Sequence, residues 1–211
     1  MNKKFISNSN YVFRKVLNSE AYLDILKNFI EAILNIKIKE IKLNPYLKQK
    51  EKYLPSEEKF GIADVRICTY ENEEINVGIQ FIDGIYVQTK MLMYYSQIHL
   101  NQLEYGDNRE FVKTITINLL DFKYFSTKEY EQKIKIKSNE GDIQLEEIEM
   151  ISIELPKFTL NDDNNITEKE KWIQYLKGCD EKTLEKIKNK NKYIKKLDEL
   201  VEKYWIEEKM E

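Results

Sequence analysis

Glycine, proline, cysteine and histidine are all scarce in this chain of 211 residues. The six glycines and three prolines leave few positions for tight turns, so we expect long helices and strands. Cys68 and Cys179 lie far apart and form no CxxC pair, which indicates neither a zinc site nor a disulfide framework. His99 is the single histidine, so any histidine-based catalysis would depend on that one residue.

The chain also lacks a charge excess of one sign and a long hydrophobic run. Its 34 Lys and Arg against 37 Asp and Glu give a formal net charge of −3, without the overall positive charge of many nucleic-acid-binding proteins. A local groove would still suffice for DNA. No stretch approaches the ~20 apolar residues that span a bilayer, and no apolar segment follows the basic N-terminus, so we expect a cytoplasmic protein. Hydrophobic residues make up 42%, which excludes a wholly disordered chain.

The pattern of apolar residues predicts an α/β fold with a mixed sheet. In chain order it predicts a helix, a strand, a two-stranded hairpin, a long helix and a buried strand, over residues 18–34, 36–43, 62–70 with 75–82, 85–105 and 112–122. Alternating runs at 133–137 and 148–155 are expected to extend the sheet. From Asp180 onward, we predict one amphipathic Lys/Glu-rich helix. The predicted domains are residues 1–158 and a helical C-terminal extension, 159–211.

Asp64 stands out because acidic residues are disfavoured in strands. In the second strand of the hairpin, alternation places Asn76, Gly78 and Gln80 on one face of the sheet. The short turn of the hairpin allows Asp64 to face Gly78 and Gln80. We therefore expect three side-chain positions to converge on one face of the sheet.

The sequence resembles the recombination-promoting nuclease (Rpn)/transposase family of the PD-(D/E)XK nuclease superfamily. The segments that carry the resemblance are YVFRKVL, LKNFIEAIL, KFGIADVRI, the run ending in Gln80, MLMYYSQIHLNQLEYGDN, ITINLLDF, ISIELPKF and KWIQYLK. Together they extend from about Tyr11 to Lys177. The resemblance implies a restriction-endonuclease-like mixed β-sheet flanked by helices. It also implies a metal-dependent DNA endonuclease with a role in recombination, mobile elements or phage defence.

The same resemblance implies a Mg²⁺ site, or a Ca²⁺ site, held by Asp64 and the backbone carbonyl of Ile79, with Gln80 orienting the water or the phosphate. The family has an I-x-E-x-Q pattern, and this chain has Gly78 where that pattern has the acid. Removing a negative charge next to a divalent cation costs several kcal/mol. About 1.36 kcal/mol of lost transition-state stabilisation lowers the rate tenfold. We therefore expect weakened metal binding and an impaired or inactive endonuclease.

Other residues are candidates to replace the missing charge. These acids lie on the first helix and in the hairpin turn: Glu20, Glu31, Glu73 and Glu74. Asp83, after the hairpin, has the wrong parity to share the face of Gln80. Lys59 precedes Asp64 closely and is either a displaced catalytic lysine or a surface lysine. For His99 and for Tyr94 and Tyr95, packing of the long helix competes with roles in proton transfer or base stacking.

The residues leave three functions open. The first is a DNA endonuclease or its impaired descendant. The second is a non-catalytic nuclease-fold module that binds DNA or a protein partner, with homo-oligomers formed through the amphipathic C-terminal helix. The third is a structural α/β domain without a nucleic-acid role.

Overall fold

The computed structural model describes residues 16–17, 19–43, 63–82, 84, 86–100, 102, 112–160 and 165–208, without the side chains of Asp64 and of 205–208. The whole segment between the first two strands, residues 44–62 with Lys59, lies outside the described residues, as does Asp83. The chain forms two compact units. One contains Ile38–Glu154, and the other combines the residues up to Lys37 with those from Leu155 onward.

The unit Ile38–Glu154 is built on a six-stranded mixed sheet. In chain order its strands are β1 (Ile38–Leu43), β2 (Ala63–Thr69), β3 (Glu74–Ile82), β4 (Lys113–Leu120), β5 (Glu131–Lys137) and β6 (Gln144–Glu154). Their order across the sheet is β1-β2-β3-β4-β6-β5. The neighbours β3, β4 and β6 are parallel, and the other neighbouring pairs are antiparallel.

The predicted hairpin is formed by β2 and β3. Its turn is held by backbone hydrogen bonds between Thr69 and Glu73 (2.9 Å) and between Asn72 and Thr69 (3.1 Å). Asn72 adopts a left-handed conformation (φ 63°), which asparagine tolerates better than most residues. The turn fixes the register of the two strands.

Helix α2 (Val87–Leu100) connects β3 to the parallel strand β4 and packs on both strands. It is shorter than the predicted 85–105. Its buried side is made of Val87, Met91, Tyr94, Tyr95 and Ile98. The strand β4 is almost wholly buried, as its continuous β-branched sequence predicts.

The second unit is helical in its described part. Its helices are α1 (Leu23–Leu34), α3 (Glu168–Lys177), α4 (Glu181–Lys190) and α5 (Lys192–Glu208). On α1, the buried residues follow the predicted helical spacing, and Phe29 meets Trp172 of α3 edge to face at 5.4 Å. Thr167 and Glu170 form a capping box at the start of α3.

The prediction of one continuous helix from Asp180 is wrong, because the helix is broken at Asn191. The side-chain oxygen of Asn191 accepts from the backbone N–H groups of Tyr193 (2.9 Å) and Ile194 (3.0 Å), which caps α5. Its amide nitrogen donates to Asn28 (3.0 Å) and to Glu168 (2.8 Å). This buried side chain offers the backbone an alternative to a continuous helix.

The predicted fold class, a restriction-endonuclease-like α/β fold with a mixed sheet and C-terminal helices, is confirmed. The domain boundary between residues 158 and 159 stays a prediction. None of the helices in the described part of the chain combines the length and apolarity that a membrane span requires.

Candidate functional site on the hairpin

The register of the hairpin places Asp64 directly opposite Gly78. Residues directly opposite each other in an antiparallel pair lie on the same face of the sheet. Because side chains alternate along a strand, position 80 is on this face too. Positions 64, 78 and 80 therefore share the face that the sequence pattern predicts for them.

This face is polar, and the next strand continues it. Gly78 pairs with Thr116 of β4, and Gln80 pairs with Asn118. The buried polar side chains of β3, β4 and β6 that lie in this layer are Asn76, Gln80, Thr114, Thr116, Asn118, Ser152 and Glu154. The alternation of Thr, Thr and Asn with isoleucine along β4 is a sequence signal from which this layer could have been predicted.

Gln80 is buried, and its amide group is engaged within the layer. Its Nε2 donates to Oδ1 of Asn118 at 2.6 Å, and Nδ2 of Asn118 donates to the backbone carbonyl of Ile151 at 3.1 Å. Gln80 is 1% exposed, and the amide nitrogen of its side chain is used within this polar layer.

Gly78 lies directly beneath α2. A Cβ atom at this position would be 1.9 Å from Cδ1 of Ile98, and 3.0 Å and 3.2 Å from two ring atoms of Tyr94. A glycine within a strand often marks a site where another element approaches closely. The missing side chain at position 78 thus has a structural consequence: it makes room for Ile98 and Tyr94.

The hydroxyl of Tyr94 lies within hydrogen-bond distance of two backbone carbonyls, those of Ala63 (2.9 Å) and Ile79 (3.0 Å). A phenol donates one proton, so the two carbonyls share it. Tyr94 therefore ties α2 to both strands of the hairpin. The carbonyl of Ile79, predicted as a metal ligand, faces this hydroxyl.

The described residues do not fit the predicted Mg²⁺ site. Mg²⁺ requires near-octahedral coordination by oxygen ligands. Gly78 supplies no ligand, and the carbonyl of Ile79 is engaged by Tyr94. Nowhere in the described part of the chain do three or more His, Cys, Asp or Glu side chains gather closely enough to hold a metal ion. The metal-binding roles of Asp64 and Ile79, like the catalytic roles of Gln80 and Lys59, stay predictions.

The described structure does not bring the acids of the hairpin turn to Gly78. Glu74 accepts from Nε of Arg66 at 2.9 Å, and Glu73 is exposed in the turn. Glu20 and Glu31 belong to the helical unit. Asp83 lies outside the described residues.

His99 lies in a second group of polar side chains, at the C-terminal end of α2. Its Nδ1 is 3.1 Å from the hydroxyl of Thr114, and its ring stacks on Tyr95 at 5.5 Å. Burial lowers the pKa of His99, and the charge of Glu147 opposes this shift. Burial also raises the pKa of Tyr95 to about 12. These contacts are those of a side chain packed between helix and sheet.

The hairpin places Asp64 opposite Gly78, and α2 then leads from β3 to the parallel strand β4. This arrangement is consistent with a nuclease-like α/β fold. A family model described as PD-(D/E)XK nuclease family transposase matches residues 7–211. The chain belongs to this family, which confirms the resemblance predicted from its sequence. The match includes the C-terminal helices, beyond the predicted end of the resemblance at Lys177. No curated protein and no solved structure matches the chain.

Proposed function

We propose that this chain is an impaired or inactive metal-dependent DNA endonuclease of the recombination-promoting nuclease type. Its family indicates a nuclease that acts on DNA, and PD-(D/E)XK nucleases generally use divalent metals. The observation that carries the proposal is Gly78, which lies opposite Asp64 with Ile98 and Tyr94 in the space of a side chain.

The physical reason is the loss of charge. Two carboxylates on neighbouring strands attract a divalent cation, and a bound cation supplies an activated water and stabilises charge on the phosphate. Position 78 contributes no charge, which leaves Asp64 as the acid of this pair. Each loss of about 1.4 kcal/mol in transition-state stabilisation lowers the rate tenfold, so the loss of a ligand worth several kcal/mol makes nicking slow or undetectable.

A plasmid-nicking assay with Mg²⁺ tests the proposal. We expect the parent to nick slowly or not at all. Restoring the acid requires space, so the informative variant is Gly78→Glu combined with Ile98→Ala. It should gain metal-dependent nicking, and adding Asp64→Ala should abolish the gain.

The matched control is Gly78→Gln with Ile98→Ala, which has nearly the same shape without the charge. Circular dichroism shows whether each variant is folded. Two outcomes contradict the proposal. One is Asp64-dependent nicking by the parent that is as fast as nicking by the Gly78→Glu/Ile98→Ala variant. The other is a folded Gly78→Glu/Ile98→Ala variant that nicks no faster than its glutamine control.

Ile98 and Tyr94 of α2 fill the space above Gly78, which also favours a second candidate function. This is a non-catalytic module that binds DNA or a protein through the nuclease fold. Retention of DNA that is independent of metal and falls with added salt would support DNA binding by such a module.

The prediction of homo-oligomers depends on the apolar side of the C-terminal helical region. Its residues Ile187, Ile194 and Leu197 are already buried, so only part of this apolar side is available to a second copy. Homo-oligomers and the cytoplasmic location stay predictions; light scattering over a dilution series tests the former.

A further inference from the structure

Two exposed tyrosines follow the carboxyl ends of the parallel strands β3 and β4. The strands end side by side, with Ile82 paired to Leu120. Tyr86 follows β3 and is 75% exposed, and Tyr124 follows β4 and is 40% exposed. In open α/β sheets, ligands bind outside the carboxyl ends of parallel strands.

Tyr86 occupies a backbone position that does not suit a tyrosine. Its φ is 57°, in the left-handed region, and the other described non-glycine residues in this region are Asn35 and Asn72. Its carbonyl accepts the N–H of Lys90 at 2.9 Å, which places Tyr86 at the cap position of α2. Asn, Asp, Ser, Thr or Gly is preferred at such a cap. Neither the cap nor the backbone explains an aromatic side chain here, and such outliers cluster at functional sites.

Tyr124 is held in place by buried groups. The carboxylate of Glu154, which is fully buried, accepts from the backbone N–H groups of Tyr124 and Phe125. The Tyr124 ring meets Phe125 edge to face at 5.0 Å and Phe122 at 6.5 Å. Phe122 also packs against a buried cluster that contains Val87, the residue after Tyr86. Phe122 therefore contacts both the Tyr124 ring and the buried cluster to which the first residue of α2 belongs.

We propose that Tyr86 and Tyr124 form a platform on which the bases of single-stranded DNA stack. The choice of DNA rests on the proposed function. The platform is separate from the hairpin site, because Tyr86 follows the end of β3 whereas Gly78 and Gln80 lie within it. Aromatic side chains stack on any base, because every base has a π-face. Lys123 is exposed next to Tyr124 and is suited to contact phosphate.

The charges of the loop between β4 and β5 indicate whether base stacking or phosphate contacts contribute more to DNA binding. Lys123 and Lys128 are exposed, and so are Asp121 and Glu129. The loop between β4 and β5 is thus close to neutral, and stacking contributes more than phosphate neutralisation. Binding should therefore fall only weakly with added salt, unlike the steep fall of proteins that neutralise many phosphates.

The test is fluorescence anisotropy with a labelled oligo-dT strand and a blunt duplex of the same length, in EDTA. The variants are Tyr86→Asn and Tyr124→Ala, and the matched control is Tyr70→Ala. Tyr70 is 64% exposed in the hairpin turn, at the opposite end of β3. Each platform variant should weaken binding to the single strand by roughly 5- to 150-fold, while Tyr70→Ala binds like the parent. Asparagine suits the left-handed cap position, so Tyr86→Asn should also raise the Tm by about 2–4 °C, which excludes unfolding as the cause of weaker binding.

Several results would overturn the platform. In the first two, the parent does not bind the single strand, or the platform variants bind it like the parent. In the others, Tyr70→Ala loses as much affinity as the platform variants, or these variants lose as much affinity for the blunt duplex as for the single strand. A dimer in light scattering that Tyr86→Asn dissociates, without DNA binding by the parent, would assign the surface to a second copy of the chain. Because EDTA prevents cleavage, this assay is independent of the nicking test: Asp64→Ala should bind the strand like the parent whatever its nicking activity.

Discussion

Replacing Gly78 with alanine should destabilise the protein, although alanine normally improves a strand. A glycine inside a strand costs roughly 0.5–1 kcal/mol relative to alanine, so an unobstructed Gly→Ala change would stabilise the fold by that amount. At position 78, however, the new Cβ would lie 1.9 Å from Cδ1 of Ile98. Carbon atoms prefer separations of about 3.5–4.0 Å, so the Ile98 side chain must move.

The surroundings of Ile98 set the magnitude. Ile98 is 1% exposed, so its displaced side chain must be accommodated within the core. The Tyr94 ring, 3.0 Å from the new Cβ, is fixed by its hydroxyl contacts to Ala63 and Ile79. Overpacking of a filled core costs about 1–3 kcal/mol. After subtraction of the glycine effect, we expect Gly78→Ala to lower the free energy of unfolding by about 1 kcal/mol, and by at most about 2.5 kcal/mol.

Valine at position 98 lacks the Cδ1 atom that clashes, and it supplies the second half of a double-mutant cycle. Ile98→Val alone should cost about 0.5–1.5 kcal/mol. The double variant Gly78→Ala/Ile98→Val should be less destabilised than the sum of the single variants, with a coupling energy of about 1–2 kcal/mol. Urea unfolding of the four proteins measures this energy.

Gly84 provides the matched control, because no atom of the described residues lies within 4 Å of the point that a Cβ would occupy there. Gly84→Ala should leave the free energy of unfolding unchanged or slightly higher. Additive effects of Gly78→Ala and Ile98→Val, or a stabilising Gly78→Ala, would show that Ile98 does not fill the space above position 78.

Two further predictions concern buried polar groups. Asn191→Ala removes the cap of α5 and leaves Asn28 and Glu168 without its amide, so it should lower the free energy of unfolding, measured in urea, by about 1–3 kcal/mol. Asn191→Asp keeps the capping oxygen but places a buried carboxylate against that of Glu168, so it should lose at least as much. Burial raises the pKa of Tyr95 from its usual 10.0 to about 12, so the folded state holds a proton that the unfolded state releases in this interval. Stability should therefore fall as the pH rises from about 10 to 12, and Tyr95→Phe should fall less steeply in urea unfolding at each pH; equal slopes would contradict the assignment.

The elements that the sequence predicts well depend on local patterns. Alternation along residues 75–82 and the short turn before them determine which residues of β2 and β3 can pair. The opposition of Asp64 and Gly78 follows from this hairpin alone. The continuous β-branched run of β4 likewise predicts a buried strand without reference to the rest of the chain.

The features that the sequence does not reveal depend on contacts between distant residues. Asn191 resembles other polar residues of a charged helix until its hydrogen bonds to Asn28 and Glu168 are known. The close approach of Ile98 to Gly78 depends on how α2 packs, which the spacing of its apolar residues does not specify. The sequence therefore shows Gly78 only as a missing ligand, whereas the structure shows that it leaves space for Ile98 and Tyr94.

These two interpretations of Gly78 are physically linked. A carboxylate at position 78 would lie beneath α2, among buried groups such as Gln80, and an unpaired buried charge costs several kcal/mol. Ile98 and Tyr94 of α2 now occupy the space that a side chain at position 78 would need. The contacts of the Tyr94 hydroxyl with the carbonyls of Ala63 and Ile79 hold α2 against both strands in this arrangement. The absence of a carboxylate at position 78 and the close packing of α2 on the hairpin are therefore two consequences of the same glycine.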